Sequence, residues 1–150
     1  MTEVKETAKR LFFDYYVPKY SNLPASQLEF PQSELFSWLE KQWENYTGRE
    51  FIFNDDETAF INYDDREDVI VIFQAVVIDP PDYLLLLKRL KEATGAKNII
   101  TTVRKSNKIL LSGLSKVYGF EITETLVQGY SNQHYIGLNL SAEKFDKLTT

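Results

Sequence analysis

A basic polar turn is the part of the sequence whose residue types best suit a chemical role. The stretch VRKSNKILLSGLSKVYGF runs from a predicted strand end through this turn into a short amphipathic helix and a Gly-Phe pair. Arg104, Lys105 and Lys108 bring positive charge to the turn, and Ser106 or Asn107 can cap the helix. Cations at this junction suit the phosphates of a ligand, and the alternatives are a solvated turn or a contact with protein or nucleic acid.

Acidic and basic residues are segregated along the chain. Residues 50–68 carry eight acids and one base, whereas residues 88–116 carry eight bases and one acid. One interpretation is a set of solvated turns and helix faces; the other is a cleft whose two ends face oppositely charged ligands. The overall net charge of −5 argues against general nucleic-acid binding.

Composition excludes several classes of site. The 150 residues suit one domain, and the lack of cysteine excludes disulfides, zinc–thiolate sites and thiol nucleophiles. The single histidine, His134, excludes a site that needs two imidazoles. No metal is expected, because the carboxylate pairs at residues 55–56 and 64–65 have no third ligand at a set spacing. No apolar run approaches the ~20 residues of a membrane span, and no signal peptide is recognised, so we expect a cytoplasmic protein without a membrane partner.

Hydrophobic periodicity predicts an α/β fold. Residues 3–17 have helical spacing and Pro18 should stop that helix, while Ser33 should cap a second helix and Asp82 a third. The segments EFIFND, ETAFINYD, DVIVIFQAVVID and KNIITTV are predicted strands, and FEITETLVQ and HYIGLNL a closing pair joined by GYSNQ. The order α, α, β, β, β, α, β, α, β, β predicts a mixed sheet with helices on both faces.

Over about residues 50–140 this order resembles the GCN5-related N-acetyltransferase (GNAT) superfamily. In that family a strand meander leads into a central strand and then a helix that receives the pyrophosphate of acetyl-coenzyme A; another strand, a helix and a Gly-Phe pair precede two closing strands. Here VVIDP and NIITTVRKSNKILLSGLSKVYGFEI follow that order. Asn107 and Gly119-Phe120 match the family's N…GF frame with a spacing one residue longer.

The tail end, SNKILLSGLSKVYGFEITETLVQGYSNQHYIGL, is also similar to small GNAT-like proteins of tailed phages, some of them virion-associated. The resemblance implies one GNAT-like domain over residues 1–150, with N-terminal helices and a loop in 1–48 and the sheet core in 49–140. A virion association is the alternative to a cytoplasmic location for a phage-encoded chain.

The resemblance also implies a coenzyme A groove where the central strand and the next parallel strand part at their carboxyl ends. The residues expected at the cofactor are Val76, Val77, Ile78, Arg104, Lys105, Asn107 and Lys108. An amine acceptor would need a carboxylate as base or anchor, for which Glu57, Asp68 and Asp79 are candidates. The family's general acid, a tyrosine four residues before the Gly of Gly-Phe, corresponds to Ser115, and Tyr118 lies nearby.

Three functions remain open, because two family motifs are altered. The Gly-rich phosphate loop is replaced by PPDYLLLLK, in which two prolines lack N–H groups, and Ser115 stands where the tyrosine is expected. The first function is an acetyl-coenzyme A-dependent N-acyltransferase acting on an unknown amine or protein. The second is a catalytically inactive GNAT-fold binding or structural protein. The third is an acidic module that engages a basic protein partner.

Overall fold

A mixed sheet organises the fold, and among the described residues it has six strands. The computed structural model describes residues 2–24, 26, 28, 30–105, 107–123 and 135–150, with the side chains of residues 2–4 left out. The strands are β1 Glu50–Phe53, β2 Phe60–Asp65, β3 Val69–Val76, β4 Asn98–Arg104, β5 Glu121–Thr123 and β6 Tyr135–Leu140. Their order is β1-β2-β3-β4-β6-β5, in which β3 and β4 run parallel and the other neighbours antiparallel.

Helices cover both faces of the sheet. They are α1 Thr2–Ser21, α2 Leu35–Glu44, α3 Pro80–Thr94, α4 Lys108–Ser112 and α5 Ala142–Leu148; a 3-10 turn, Gln32–Glu34, precedes α2, and a π-helical turn, Gly113–Val117, follows α4. Helices α1 and α2 bury an aromatic cluster against one face, whereas α3, α4 and α5 pack on the other. The predicted α/β fold with a mixed sheet between two helical layers is confirmed.

Several predicted boundaries were wrong. Pro18 lies inside α1, whose last turn is secured by buried Tyr20 and by a Ser21 hydroxyl that donates to the Val17 carbonyl over 2.6 Å. Asp79, rather than Asp82, occupies the N-cap position of α3, since two prolines form its first turn with a φ suited to a helix start. Ser33 falls in the 3-10 turn before α2.

The cap of α4 agrees with one of the sequence predictions. The Asn107 side chain caps α4 by accepting from the Leu110 N–H over 3.3 Å, which confirms one of the two predicted caps. The alternative cap Ser106, His134 and the predicted GYSNQ turn lie outside the described residues. Helix α5 was not predicted; Ser141 caps it and Phe145 anchors it in the core.

The parallel strands β3 and β4 part at their carboxyl ends. Within the fully described ranges of both strands, pairing is confined to the first three positions and ends at Val71 opposite Ile100. Each strand then continues with its other neighbour, β3 with β2 as far as Val76 and β4 with β6 as far as Arg104. At the parting point the Thr101 hydroxyl donates to the Ile72 carbonyl over 3.1 Å. This gap is the opening that the GNAT resemblance requires.

A β-bulge in β3 lies beside the gap. Asn62 pairs with Gln74 and Tyr63 with Ile72, so Phe73 has no counterpart on β2. An extra residue bends a strand and increases its local twist. The bulge therefore helps to turn the end of β3 away from β4.

We expect Thr101→Val to destabilise the fold by about 1–3 kcal/mol, because the buried Ile72 carbonyl would lose its donor. Urea unfolding measures the effect. Thr102→Val is the matched control, since the neighbouring hydroxyl makes no hydrogen bond with the described residues. Equal stability of the two variants would contradict a structural role for the Thr101 hydroxyl.

Candidate functional site

The gap between β3 and β4 contains a cavity of about 80 Å³ that reaches both layers of helices. A water needs roughly 10–15 Å³ on this scale, so the space corresponds to about six waters, or a ligand of amino-acid size. Nearly half of the described residues around it are aromatic: Phe12, Tyr15, Tyr16, Tyr20, Trp38, Tyr46, Phe73, Tyr83 and Tyr135. Leu110 and Leu114 of the segment after β4 complete the wall on the α3 side.

A polar network crosses the cavity beside the bulge. The Gln74 Oε1 accepts from the Tyr16 hydroxyl over 2.5 Å and from the Ala75 N–H over 3.0 Å. Its Nε2 lies 3.4 Å from the Tyr46 hydroxyl. These bonds tie β3 to α1 and to the segment after α2, so they fix the wall of the cavity on that face.

Two cations line the same space. Arg104, at the end of β4, is only 7% exposed, and its guanidinium lies 4.8 Å from the ring centroid of Tyr20 and 5.2 Å from that of Tyr135. Lys19 Nζ lies 4.9 Å from the Tyr15 ring centroid and 3.1 Å from its hydroxyl. Cation–π contacts contribute about 0.5–2 kcal/mol each. Among the described residues around the cavity there is no Asp or Glu.

The start of α3 does not fit a diphosphate. Helix starts bind phosphate through free backbone N–H groups, but Pro80 and Pro81 have none, and the Asp82 N–H already donates to the Asp79 carbonyl over 2.9 Å. The carboxylates of Asp79 and Asp82 add negative charge there. None of the residues Pro80, Pro81 and Asp82 therefore has a backbone N–H free for a phosphate.

An aromatic pair joins α3 to the end of the π-helical turn. The Tyr118 ring stacks on Tyr83 with centroids 5.8 Å apart, and its hydroxyl donates to the Pro80 carbonyl over 3.3 Å. Burial raises the pKa of both phenols, and for Tyr83 the nearby Tyr118 raises it further. Both phenols are protonated at neutral pH, and Tyr83 lines the cavity.

Only some of the residues predicted to bind the cofactor line the cavity. Arg104 and Asn107 line the cavity. Lys105 and Lys108 are exposed on the turn next to it. The strand segment after Ala75 alternates: Val76 is buried toward α1 and α2, Val77 packs toward α3, and Ile78 is 73% exposed.

The predicted catalytic residues lie outside the described lining of the cavity. Glu57 is exposed in the turn between β1 and β2, and Asp79 at the cap of α3. Asp68 is exposed in the turn at the amino end of β3, the end opposite the gap. The Ser115 hydroxyl donates to the Leu111 carbonyl over 2.9 Å, within its own helical segment.

Sequence reasoning missed the contribution of α1 and of the bulge. Tyr15, Tyr16 and Lys19 face a gap formed by strands more than fifty residues away, and Gln74 shows no signal within its apolar strand. The available signal was the run of aromatic residues in α1, which is too dense for a single helix face. It indicated a second contact but not its location.

Ion pairs join the acidic and basic segments of the chain. Arg89 pairs with Asp55, and Lys97 with Asp65 over 2.5 Å, while Arg66 and Arg49 both approach Asp64. Two of these pairs, Arg89–Asp55 and Lys97–Asp65, link turns of the meander to α3 and to the start of β4. These paired carboxylates support the interpretation of solvated, structural turns.

The described part of the chain contains neither a candidate metal cluster nor a candidate membrane-spanning helix. No cluster of three or more His, Asp or Glu side chains there could hold a metal ion. No helix among the described residues is both long and apolar enough to span a bilayer.

Solved structures share this architecture. The PaiA N-acetyltransferase of Thermoplasma acidophilum, in complex with coenzyme A, superposes with a TM-score of 0.61 at 15% identity, covering 93% of each chain. A GCN5-related N-acetyltransferase from Brucella melitensis gives a TM-score of 0.52 at 13% identity, over 94% of this chain and 74% of that one. No family model and no curated protein matches the sequence. The chain therefore has the GNAT fold, as its sequence predicted.

We expect Tyr83→Phe to flatten the loss of stability at alkaline pH. Burial keeps Tyr83 protonated above the ordinary tyrosine pKa of 10.0, whereas the unfolded chain releases this proton near pH 10. The stabilisation that comes from the raised pKa of Tyr83 is therefore fully present below pH 10. Above pH 10 the free energy of unfolding falls by up to about 1.4 kcal/mol per pH unit. Urea unfolding at pH 9, 10 and 11 measures the slope. Identical slopes for the variant and the natural chain would contradict this prediction.

Proposed function

We propose that this chain is an N-acyltransferase that acts at the gap between β3 and β4 on an amine acceptor, with a coenzyme A thioester as donor. The observation that carries the proposal is the end of β3–β4 pairing after Val71 and Ile100, with a cavity in the opening. The shared fold with two acetyltransferase structures, one of them in complex with coenzyme A, supports it.

The cavity is lined by residues from both helical layers, one on each face of the sheet. Tyr16 and Trp38 contribute from the α1–α2 side, and Tyr83 and Leu114 from the α3–α4 side. An acceptor and a donor entering from opposite faces could therefore meet between the strands. Because the residues at the start of α3 do not fit the donor's diphosphate, we assign its phosphates to exposed Lys105 and Lys108 on the neighbouring turn.

A second candidate is a binding or structural protein that keeps the fold without catalysis. The prolines at the start of α3, the Tyr118 hydroxyl bound to Pro80, and the lack of Asp or Glu among the described cavity residues favour it. A virion role belongs to this candidate. The acidic-module alternative has less support, since Asp55, Asp64 and Asp65 form ion pairs within the chain.

Titration with acetyl-coenzyme A, followed by an assay of thiol release with a panel of amines, tests the proposal. We expect micromolar to millimolar binding, and at least tenfold weaker binding for Ala75→Phe, because a ring at this half-buried position would fill the gap. Ala93→Phe is the matched control, since Ala93 is exposed on α3. Thermal melts establish that both variants fold. Absence of binding at millimolar ligand together with absence of thiol release would reject acyl transfer and leave the binding protein.

The double variant Lys105→Ala with Lys108→Ala tests the phosphate assignment. Loss of two charge-assisted contacts should weaken acetyl-coenzyme A binding about tenfold or more. Binding of S-acetyl-pantetheine, which lacks the diphosphate, should be unchanged. Lys41→Ala with Lys147→Ala provides a control of equal net charge at remote surface positions. If the two double variants bind acetyl-coenzyme A equally, the assignment of phosphates to this turn fails.

A further inference from the structure

Lys19 places a primary amine beside the gap between β3 and β4. It lies in the last turn of α1, is half-buried, and is the single lysine among the described residues that line the cavity. A lysine amine is a competent nucleophile toward a carbonyl carbon. An acceptor of the chemical class that acyl transfer needs is therefore already part of the cavity wall.

The described contacts of Lys19 hold its amine without a carboxylate. Its Nζ donates to the Tyr15 hydroxyl over 3.1 Å and lies 4.9 Å from the centroid of the same ring. Lys9, earlier on the same helix, instead forms an ion pair with Glu40 over 3.1 Å. Because an ion pair joins two full charges, a reaction at Lys9 must first separate them, whereas a reaction at Lys19 gives up a hydroxyl acceptor.

A chain of hydrogen bonds fixes this part of α1 against the open strand. Tyr16 lies three positions before Lys19 and therefore on a neighbouring part of the helix surface. Its hydroxyl donates to the Gln74 Oε1 over 2.5 Å, and the same oxygen accepts from the Ala75 N–H over 3.0 Å. The end of α1 is thereby anchored to β3 at the gap, which keeps the Lys19 amine next to the space proposed for the thioester.

The free volume suits a short acyl group. About 80 Å³ holds the equivalent of about six waters, so an acetyl group fits there beside the lysine. The nucleotide part of coenzyme A is far larger and must stay outside, where Lys105 and Lys108 are exposed.

We propose that Lys19 is an internal acceptor, to which the chain transfers an acyl group from its own coenzyme A thioester; this rests on the proposed function. The neutral amine, formed by loss of a proton to water, attacks the thioester carbonyl. The N–C bond forms, the C–S bond breaks with its electron pair on sulfur, and one amine proton passes through solvent to the thiolate. The product is a stable amide without charge, so the modification is permanent and fills part of the cavity.

Incubation with isotopically labelled acetyl-coenzyme A, followed by peptide mass spectrometry, tests this proposal. We expect Lys19 to gain the label at least tenfold faster than Lys9, at a rate that saturates with acetyl-coenzyme A. Lys9 is the matched control, because it is also half-buried on α1 but lies outside the described cavity lining. Ala75→Phe should remove the excess at Lys19, whereas Ala93→Phe should keep it. Unfolding in urea should make the two lysines react equally.

Equal labelling of Lys19 and Lys9 in the folded chain, or an excess at Lys19 that Ala75→Phe leaves intact, would overturn the proposal. Thiol release measured on the same samples distinguishes this failure from failure of acyl transfer. Continued thiol release with an added amine while Lys19 stays unlabelled keeps the transferase and rejects the internal acceptor. Labelling of Lys19 with thiol release that stops at one equivalent, whichever amine is added, keeps the internal acceptor and rejects transfer to a separate amine.

Discussion

The end of hydrogen bonding between two parallel strands is the constraint on which the rest of this structure depends. Strands β3 and β4 pair up to Val71 and Ile100 and then follow different neighbours. Beyond that point β3 remains paired with β2, but the backbone N–H and C=O groups of alternate residues point to the other side, into the gap, and need partners there. The gap therefore combines backbone polar groups that need partners with a lining rich in aromatic side chains.

Side chains replace part of the missing strand pairing. The Thr101 hydroxyl supplies a donor to the Ile72 carbonyl, and the Gln74 carboxamide supplies an acceptor to the Ala75 N–H. Tyr16 in turn holds the Gln74 carboxamide from α1. The helix layer on this face therefore does more than bury apolar surface, because it orients the groups that keep the opening in shape. A ligand in the gap would meet a surface whose hydrogen bonds are largely arranged in advance.

Local pattern was sufficient to predict the succession of strands along the chain and a mixed sheet with a β-α-β crossover, and it carried the resemblance to an acetyltransferase fold. These follow from short-range periodicity and from the β-α-β connection, which leaves few topologies open. The helix through Pro18 could not be predicted locally, because the packing of Tyr20 outweighs the lost backbone hydrogen bond. The cavity also depends on long-range placement: α1, the bulge and Arg104 are remote in sequence, and only the folded sheet brings Tyr20 beside that guanidinium.

The π-helical turn Gly113–Val117 explains why the spacing between Asn107 and Gly119-Phe120 is one residue longer than in the GNAT frame. In this turn the Tyr118 N–H bonds to the Gly113 carbonyl, five residues earlier, and the Phe120 N–H reaches the Leu114 carbonyl. A wider turn absorbs one inserted residue without moving either end of the helical segment. Asn107 therefore still caps α4, and Phe120 is still buried in the core. The extra residue is accommodated within the π-helical turn and does not change the register of β5.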